Sequence, residues 1–211
     1  MNDVVVLDYG FGNVRSVLRA VEKNKASVKL SADFNEALEA KGLIIPGVGA
    51  FAACMRGLEQ VRANEIIDRR LVANKPVLGI CVGMQVMFES GWEHGIKSEG
   101  LGQWPGIVDQ INAPVLPHMG FNSIEVAIGS KMFSEITQEQ FYFLHSFAAK
   151  KLEFRDSSKI TNPLIHYATH FEQFIAAVEN GPLWATQFHP EKSGPAGLKL
   201  INNWLETLDE K

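Results

Sequence analysis

Gly79-Ile80-Cys81-Val82-Gly83-Met84-Gln85 is the stretch that decides the fold of this chain. It follows the apolar residues Pro76 to Leu78 and begins a second apolar run at residues 84–88, which predicts a strand, a sharp turn and a helix in succession. A side chain at the apex of such a turn stands clear of the backbone, and glycines two residues to either side let the strand and the helix approach closely. The pattern predicts a nucleophile elbow with Cys81 at its apex.

The residue at this apex carries a thiol rather than the commoner hydroxyl. The positive end of the following helix favours the thiolate, which is the nucleophilic form of cysteine, so we predict Cys81 to be a nucleophile. The alternative is a small buried cysteine at a strand end, because unpaired cysteine is among the most buried residue types. The other cysteine, Cys54, lies in an Ala-Ala-Cys-Met context that favours a structural thiol in the core.

Length and composition favour one α/β domain spanning residues 1–211. The hydrophobic fraction of 46% and the charged fraction of 21% are globular averages, and no apolar run approaches the ~18 residues of a membrane span. A reactive thiol and only two cysteines favour the reducing cytoplasm. The net charge of −4 argues against a nucleic-acid groove and favours a small metabolite or a protein partner.

Strand and helix patterns alternate along the first half of the chain, which predicts a mostly parallel central sheet flanked by helices. We expect Asn13 to cap the first helix. The predicted strands cover residues 4–8, 27–30 and 42–45, and the other predicted helices cover residues 35–40, 52–58 and 65–73.

The second half predicts additional β-strands, at residues 107–111, 123–126 and 141–144. Residues 91–106, rich in glycine and polar residues, predict a surface loop over the site. Glu179-Asn180-Gly181 separates two apolar runs, at 174–178 and 183–188, and predicts a hairpin that brings His189 to the end of its second strand. A final amphipathic helix is expected at residues 196–208.

Gln187-Phe188-His189-Pro190-Glu191 supplies an imidazole and a carboxylate two positions apart. Together with the elbow thiol they indicate a Cys-His-Glu triad. In this arrangement His189 takes the thiol proton and donates it to a leaving amine, while Glu191 fixes the histidine tautomer.

Pro46-Gly47-Val48-Gly49-Ala50-Phe51 ends the third predicted strand with two glycines, which permit close approach of a ligand to main-chain N–H groups. The segment is a candidate oxyanion strand. An ordinary glycine-rich turn is the alternative interpretation.

Two rival sites find little support, and we expect neither a metal nor a cofactor. His166 and His170 are four positions apart, but in an extended segment their side chains lie roughly 13 Å apart, too far to share one zinc ion. Gly10-Phe11-Gly12-Asn13 begins like a dinucleotide fingerprint but has Arg15 where the third glycine belongs. The remaining histidines are expected to be structural or interfacial: His94, His118 and His145.

The elbow and the His-Pro-Glu segment together resemble those of the class I (triad) glutamine amidotransferases, which hydrolyse glutamine to glutamate and pass the ammonia to a synthase. Further stretches resemble the glutaminase subunits of imidazole glycerol phosphate synthases in histidine biosynthesis. These stretches are Asp8-Tyr9-Gly10-Phe11-Gly12-Asn13, Pro46 to Phe51, Pro117-His118-Met119-Gly120-Phe121-Asn122, Tyr142-Phe143-Leu144-His145-Ser146 and Glu191-Lys192-Ser193-Gly194.

This resemblance implies a single-domain class I amidotransferase fold and a role for each matching residue. Cys81 would form a glutamyl thioester, with His189 as acid and base and Glu191 as its orienting partner. The oxyanion hole would consist of the Val82 and Gly49 N–H groups, completed by a peptide reorientation around Val48. The substrate would be held by Gln85, Ser146 and Phe147.

The resemblance also implies a heterodimer with an eight-fold β/α barrel cyclase, which uses the ammonia to make imidazole glycerol phosphate and the purine intermediate AICAR. Residues matching the partner-facing positions are Asn13, Phe121, Tyr142 and Lys192. Phe121 stands where tryptophan is usual, and Val82 where leucine is usual.

Other functions stay open at this stage. A glutaminase serving anthranilate or aminodeoxychorismate synthase usually has Pro-Gly-Pro-Gly in the oxyanion strand, and Val48 speaks against it. A silent partner-binding module would be expected to have lost Cys81 or His189, and both are present. A thiol hydrolase of another amide is a further alternative.

Overall fold

The computed structural model describes residues 3–152 and 163–209. Its thirteen strands, in chain order, are β1 (Val4–Leu7), β2 (Val28–Ser31), β3 (Gly42–Gly47), β4 (Val77–Cys81), β5 (Phe88–Glu93), β6 (Ile96–Glu99), β7 (Trp104–Gln110), β8 (His118–Ser123), β9 (Gln140–His145), β10 (Phe147–Ala149), β11 (Leu164–His170), β12 (Glu172–Asn180) and β13 (Leu183–Thr186).

The α-helices are α1 (Val14–Lys23), α2 (Phe34–Glu39), α3 (Phe51–Gln60), α4 (Ala63–Val72), α5 (Val82–Gln85) and α6 (Gly194–Glu206). Short 3-10 helices follow at Pro190–Lys192 and Thr207–Asp209. No helix of the described ranges is long and apolar enough to cross a membrane.

A seven-stranded sheet in the order β11-β12-β13-β4-β3-β1-β2 forms the centre of the fold. The run from β13 to β2 is parallel, whereas β11, β12 and β13 pair antiparallel. Every residue of β1, β3 and β4 is buried. Such continuous burial is typical of parallel strands covered on both faces, and the predicted α/β class with a mostly parallel sheet is confirmed.

The two elbow glycines are required by close packing. A Cβ atom at Gly83 would lie 1.9 Å from the Ile45 carbonyl oxygen, and one at Gly79 would lie 2.6 Å from the Gly83 carbonyl oxygen. Both positions therefore exclude any larger residue, because the obstructing atoms belong to the backbone. The strand, sharp turn and helix predicted around Cys81 are present as β4 and α5.

Most of the other predicted elements are also confirmed, including the hairpin of β12 and β13 that leads to His189. The helix after the elbow is shorter than predicted, because α5 ends at Gln85 and Phe88 already pairs with Trp104 in a second sheet. A short apolar run does not distinguish a buried strand from a helix.

Three further expectations were wrong. Residues 91–106 are not a surface loop: Gly91 to Glu93 and Ile96 to Glu99 form a hairpin through His94 and Gly95, whose φ angles of 50° and 80° suit a two-residue turn. The strand predicted at 123–126 instead runs from His118 to Ser123, where β8 pairs with β9.

The third wrong expectation concerns the first helix. Asn13 does precede α1, but its side chain makes no capping hydrogen bond. Its φ and ψ of −83° and 57° differ from the extended backbone that a capping asparagine adopts.

Candidate active site

Cys81 lies where β4 becomes α5, with φ 57° and ψ −112°. A residue other than glycine in such a conformation costs on the order of 1–3 kcal/mol, and strain of this kind concentrates at functional sites. The side chain borders a cavity of about 200 Å³, which is lined by Val48, Gly49, Cys81, Val82, Gln85, Glu93, Leu144, His145, Ser146, Phe147, His189 and Lys192. The residues predicted for the triad's thiol and histidine, the oxyanion hole and the substrate thus surround one space.

His189 reaches Cys81 because β13 and β4 are parallel neighbours, with Thr186 in register with Ile80. The His189 backbone N–H donates to the Tyr142 carbonyl at 2.9 Å, which fixes the chain where it leaves the sheet. The histidine Nδ1 lies 2.9 Å from Glu191 Oε1. Because Nδ1–H donates to the carboxylate, Nε2 is the ring nitrogen left to exchange a proton with the Cys81 thiol.

The environment of His189 favours the imidazolium. Burial alone would lower its pKa, but hydrogen bonds to the Cys81 thiol and to Glu191 outweigh burial and raise the pKa to about 10. The buried imidazolium therefore lies against the Cys81 sulfur, where its positive charge can stabilise negative charge that develops on the nucleophile. Within the described residues, Glu191 Oε2 is buried and has no hydrogen-bond partner.

Two glutamines connect Cys81 to the wall of the cavity. Gln187 Nε2 lies 3.8 Å from Cys81 Sγ, and Gln187 Oε1 accepts from Gln85 Nε2 at 3.1 Å. Gln85 Nε2 also donates to the Phe147 carbonyl at 2.8 Å. Both N–H bonds of the Gln85 amide are thereby used by protein acceptors, which fixes its orientation.

The candidate oxyanion strand is held by side chains on both sides. The Tyr9 hydroxyl donates to the Pro46 carbonyl, and burial raises the pKa of this phenol, so it stays a neutral donor. The Cys54 thiol donates to the Val48 carbonyl at 3.5 Å. Because the peptide is trans, this contact directs the Gly49 N–H away from Cys54. Gly49 itself has φ 94°, which glycine adopts at no steric cost.

Cys54 is buried in α3, as predicted for a structural thiol. Burial raises its pKa to about 11, so it stays protonated at neutral pH. The sequence did not indicate its contact with the oxyanion strand.

Three of the four predicted interface residues lie together beside the site. Phe121 and Tyr142 are cross-strand neighbours in β8 and β9 with ring centroids 5.6 Å apart, and Lys192 Nζ lies 5.8 Å from the centroid of the Tyr142 ring. Asn13 lies apart from this group, at the start of α1, although α1 packs against the 3-10 helix that carries Lys192.

The histidines of the rejected metal site lie on extended β11, as expected. His166 Nε2 lies 3.1 Å from Glu179 Oε1 within the core, while His170 Nε2 lies 2.8 Å from the Val115 carbonyl. Among the residues that the structure describes, no three His, Cys, Asp or Glu side chains are grouped so that they could hold a metal ion.

Five residues of the site had no assigned role in the sequence: Tyr9, Glu93, Leu144, His145 and Gln187. All but Glu93 lay within the quoted motifs, and Glu93 lay in the segment expected to be a surface loop. His145, expected to be structural or interfacial, lines the cavity.

An α/β fold with a thiol at its elbow and a His-Glu pair after the neighbouring parallel strand is that of a triad hydrolase. The chain belongs to the glutamine amidotransferase class-I family, which matches residues 5–208.

Relatives in sequence agree with this assignment, and a solved structure shares the fold. The chain is 52% identical to the imidazole glycerol phosphate synthase subunit HisH of Streptomyces avermitilis over 97% of this chain and 96% of that protein. It is 53% identical to the subunit of the same name from Thermobifida fusca, over 97% of this chain and 98% of that protein. The crystal structure of a glutamine amidotransferase superposes with a TM-score of 0.74 at 16% identity, covering 97% and 99% of the two chains.

Proposed function

We propose that this protein is the glutaminase subunit of an imidazole glycerol phosphate synthase, acting in histidine biosynthesis. It hydrolyses glutamine to glutamate and ammonia with the triad Cys81, His189 and Glu191. The observation that carries the proposal is the joint position of the thiol and the imidazole at one cavity, with the Glu191 carboxylate bonded to the imidazole. Identity of about half to HisH subunits along nearly the whole chain supports the choice of pathway.

The geometry supports a two-stage reaction. Cys81 Sγ attacks the carboxamide carbon of glutamine, and the carbonyl π electrons move to oxygen. Collapse of this tetrahedral species breaks the C–N bond, the nitrogen takes a proton from His189 Nε2, and ammonia leaves a glutamyl thioester. Water then attacks the thioester, gives a proton to His189 Nε2 and displaces the thiolate, so that glutamate forms and the enzyme is restored.

Backbone N–H groups of the oxyanion strand and of α5 stabilise the developing negative charge. The proposed donors are Val82 and Gly49, with the peptide at Val48 turning to complete the hole. One such donor is worth about 10²–10³ in rate, so the orientation of this strand is enough to switch the glutaminase on or off.

The substrate is held by Gln85 and by the backbone at Ser146 and Phe147. Since both Gln85 N–H groups bind the protein, its Oε1 is the atom that accepts a hydrogen bond from glutamine.

The partner is an eight-fold β/α barrel cyclase, which uses the ammonia to form imidazole glycerol phosphate and AICAR. Outward-facing side chains of the two-stranded β8–β9 sheet form an apolar surface beside the cavity, composed of Met119, Phe121, Tyr142 and Leu144. We assign this outer face, together with Asn13 and Lys192, to the interface. The subunit acts as one domain over residues 1–211, in the cytoplasm.

Glutamine turnover tests the proposal. The chain is assayed alone, with the barrel cyclase, and with the cyclase carrying its nucleotide substrate. We expect low turnover alone and a large increase in the liganded complex. No turnover in any of the three, with wild-type protein that binds the barrel, would overturn the assignment. Activation instead by an anthranilate or aminodeoxychorismate synthase subunit would move the protein to another pathway.

A further inference from the structure

Two buried histidines next to the cavity have no part in the reaction just described. His118 Nδ1 lies 3.2 Å from His145 Nε2, and His145 Nδ1 lies 3.0 Å from the Phe147 carbonyl oxygen. At the other end, Asn122 Nδ2 lies 3.3 Å from His118 Nε2. The four groups form one continuous row of hydrogen bonds.

Hydrogen-bond chemistry fixes the direction of this row. A carbonyl oxygen only accepts, so His145 Nδ1 carries the proton, and the Nε2 of the neutral ring is an acceptor. His118 must then donate through Nδ1–H, which leaves its Nε2 to accept from the Asn122 amide. Every nitrogen of the two rings has a hydrogen-bond partner when both rings are neutral and protonated on Nδ1. Burial lowers the pKa of His118 to about 4 and that of His145 to about 3, in agreement with neutral rings.

The row ends on a carbonyl that also holds Gln85, one of the proposed substrate contacts. The Phe147 carbonyl accepts from His145 Nδ1 and also from Gln85 Nε2, so its two lone pairs hold two different side chains. From Gln85 the bonds continue through Gln187 Oε1, and Gln187 Nε2 faces Cys81 Sγ. The orientation of the glutamine-binding wall thus depends on His145.

The pleat of β8 places this row directly behind the proposed partner surface. His118 and Asn122 point inward, while Met119 and Phe121 alternate with them and are exposed. One strand therefore carries the outer face on one side and the start of the histidine row on the other.

We propose that His145 is a positioning residue for glutamine binding: its Nδ1–H orients the Phe147 carbonyl, and through it Gln85, with His118 holding the required tautomer. This inference rests on the proposed glutaminase function. His145 acts through Phe147 and Gln85 and takes no part in proton transfer.

Isosteric substitutions test this role. The amide of asparagine in His145→Asn reaches the position of Nδ1 and keeps a donor for the Phe147 carbonyl. The longer side chain in His145→Gln reaches the position of Nε2 instead and loses that donor. Gln85 is proposed to bind glutamine away from the reacting atoms. We therefore expect His145→Gln to raise KM for glutamine about tenfold with kcat within about threefold, and His145→Asn to stay within about threefold in both.

The matched control is His170→Asn. His170 stacks on His118 at a centroid distance of 4.3 Å but bonds to the Val115 carbonyl, outside the row. The KM of the His170→Asn variant for glutamine should stay within about twofold of wild type. All proteins are assayed as the complex with the barrel cyclase and its ligand. Equal kinetics for His145→Asn and His145→Gln would overturn the proposal.

A second measurement does not depend on activity. Nitrogen-15 NMR of the wild-type imidazoles should show Nδ1–H tautomers for both His118 and His145, although the Nε2–H form is the commoner one in solution. An Nε2–H tautomer at His145 would overturn the proposal even if the variants failed to fold. Absence of turnover by the wild-type complex would instead count against the glutaminase function, and the tautomer measurement would still decide the geometry.

Discussion

His189 Nδ1 lies 2.9 Å from Glu191 Oε1, although a single residue separates the two in the chain. The contact is possible because Pro190 begins a 3-10 helix that turns Glu191 back under the imidazole. Ser193 reinforces the turn, since its hydroxyl donates to the His189 carbonyl at 2.7 Å and accepts from the Tyr142 N–H at 2.9 Å. The orienting carboxylate is thus fixed locally, whereas the thiol comes from a distant strand.

We expect loss of His189 and loss of Glu191 to reduce activity by different amounts, because His189 contacts the thiol and Glu191 contacts only His189. Loss of the orienting carboxylate costs up to about 10⁴ in rate in serine enzymes, but a thiol loses its proton more readily than a hydroxyl, so a cysteine enzyme should depend on the carboxylate less. We expect Glu191→Gln to reduce kcat by about 10- to 100-fold and His189→Ala to reduce it more. Steady-state glutamine hydrolysis with saturating partner measures both. If Glu191→Gln were as inactive as Cys81→Ala, the carboxylate would need a role beyond orientation.

The two cysteines should differ sharply towards electrophiles. A chloroketone analogue of glutamine should alkylate Cys81, which borders the cavity, at least ~100-fold faster than Cys54, whose burial raises its pKa to about 11. Peptide mass spectrometry after a timed reaction identifies the labelled site, and excess glutamine should protect it. Cys54 serves as the internal control in the same chain. Labelling confined to Cys54 would refute Cys81 as the nucleophile.

The features that could be predicted from the sequence are those with a local physical cause. The elbow glycines are required by contacts of 1.9 Å and 2.6 Å that a Cβ would make, and such a requirement leaves a readable pattern. The turn at Gly181 likewise marks the β12–β13 hairpin, whose second strand is followed by His189.

The features that could not be predicted depend on pairing between distant residues. The histidine row exists because β8 and β9 bring His118 opposite His145, 27 positions away. Gln187 faces Cys81 across a separation of 106 positions. Trp104 looked like part of a polar loop but packs on Phe88 with ring centroids 5.4 Å apart. None of these contacts follows from periodicity, since each is decided by how the sheets assemble.

Acid should destabilise the protein well above the range in which carboxylates titrate. The folded pKa values of His118 and His145, about 4 and about 3, lie below the ordinary value of 6.5. Between the folded and the unfolded pKa values, the unfolded chain binds more protons than the folded protein. The contribution of these two histidines to the free energy of unfolding is therefore complete above about pH 6.5 and is lost as pH falls. The free energy of unfolding should decrease by up to ~1.4 kcal/mol per pH unit for each histidine.

Urea unfolding between about pH 6.5 and about pH 5 measures this slope. The window separates the histidines from other groups. Burial raises the pKa of Glu179, but hydrogen bonds from His166, Ser130 and the Met132 N–H lower it overall, so this carboxylate contributes to the slope only at lower pH. His189, whose pKa is raised, contributes a slope only above about pH 6.5. His145→Asn should have the shallower slope. Parallel slopes for wild type and variant would show that His145 does not titrate as argued.

The outer face of the two-stranded β8–β9 sheet should control binding of the proposed barrel cyclase. Phe121 lies on this face, is 56% exposed and packs edge-on against Tyr142, so a large apolar side chain is open to contact with a partner. Anchors of this kind contribute on the order of 2–4 kcal/mol at interfaces. Phe121→Asp should therefore weaken the complex about 30- to 1000-fold, because it also places a charge in a desolvated contact.

Ile128→Asp is the matched control, since Ile128 is 99% exposed but lies outside this face. Titration calorimetry gives Kd for both variants, and activation of glutamine hydrolysis at increasing cyclase concentration gives an independent midpoint. We expect Phe121→Asp to shift both quantities together and Ile128→Asp to shift neither by more than about twofold. Equal affinities for the two variants would place the cyclase on another surface of this subunit.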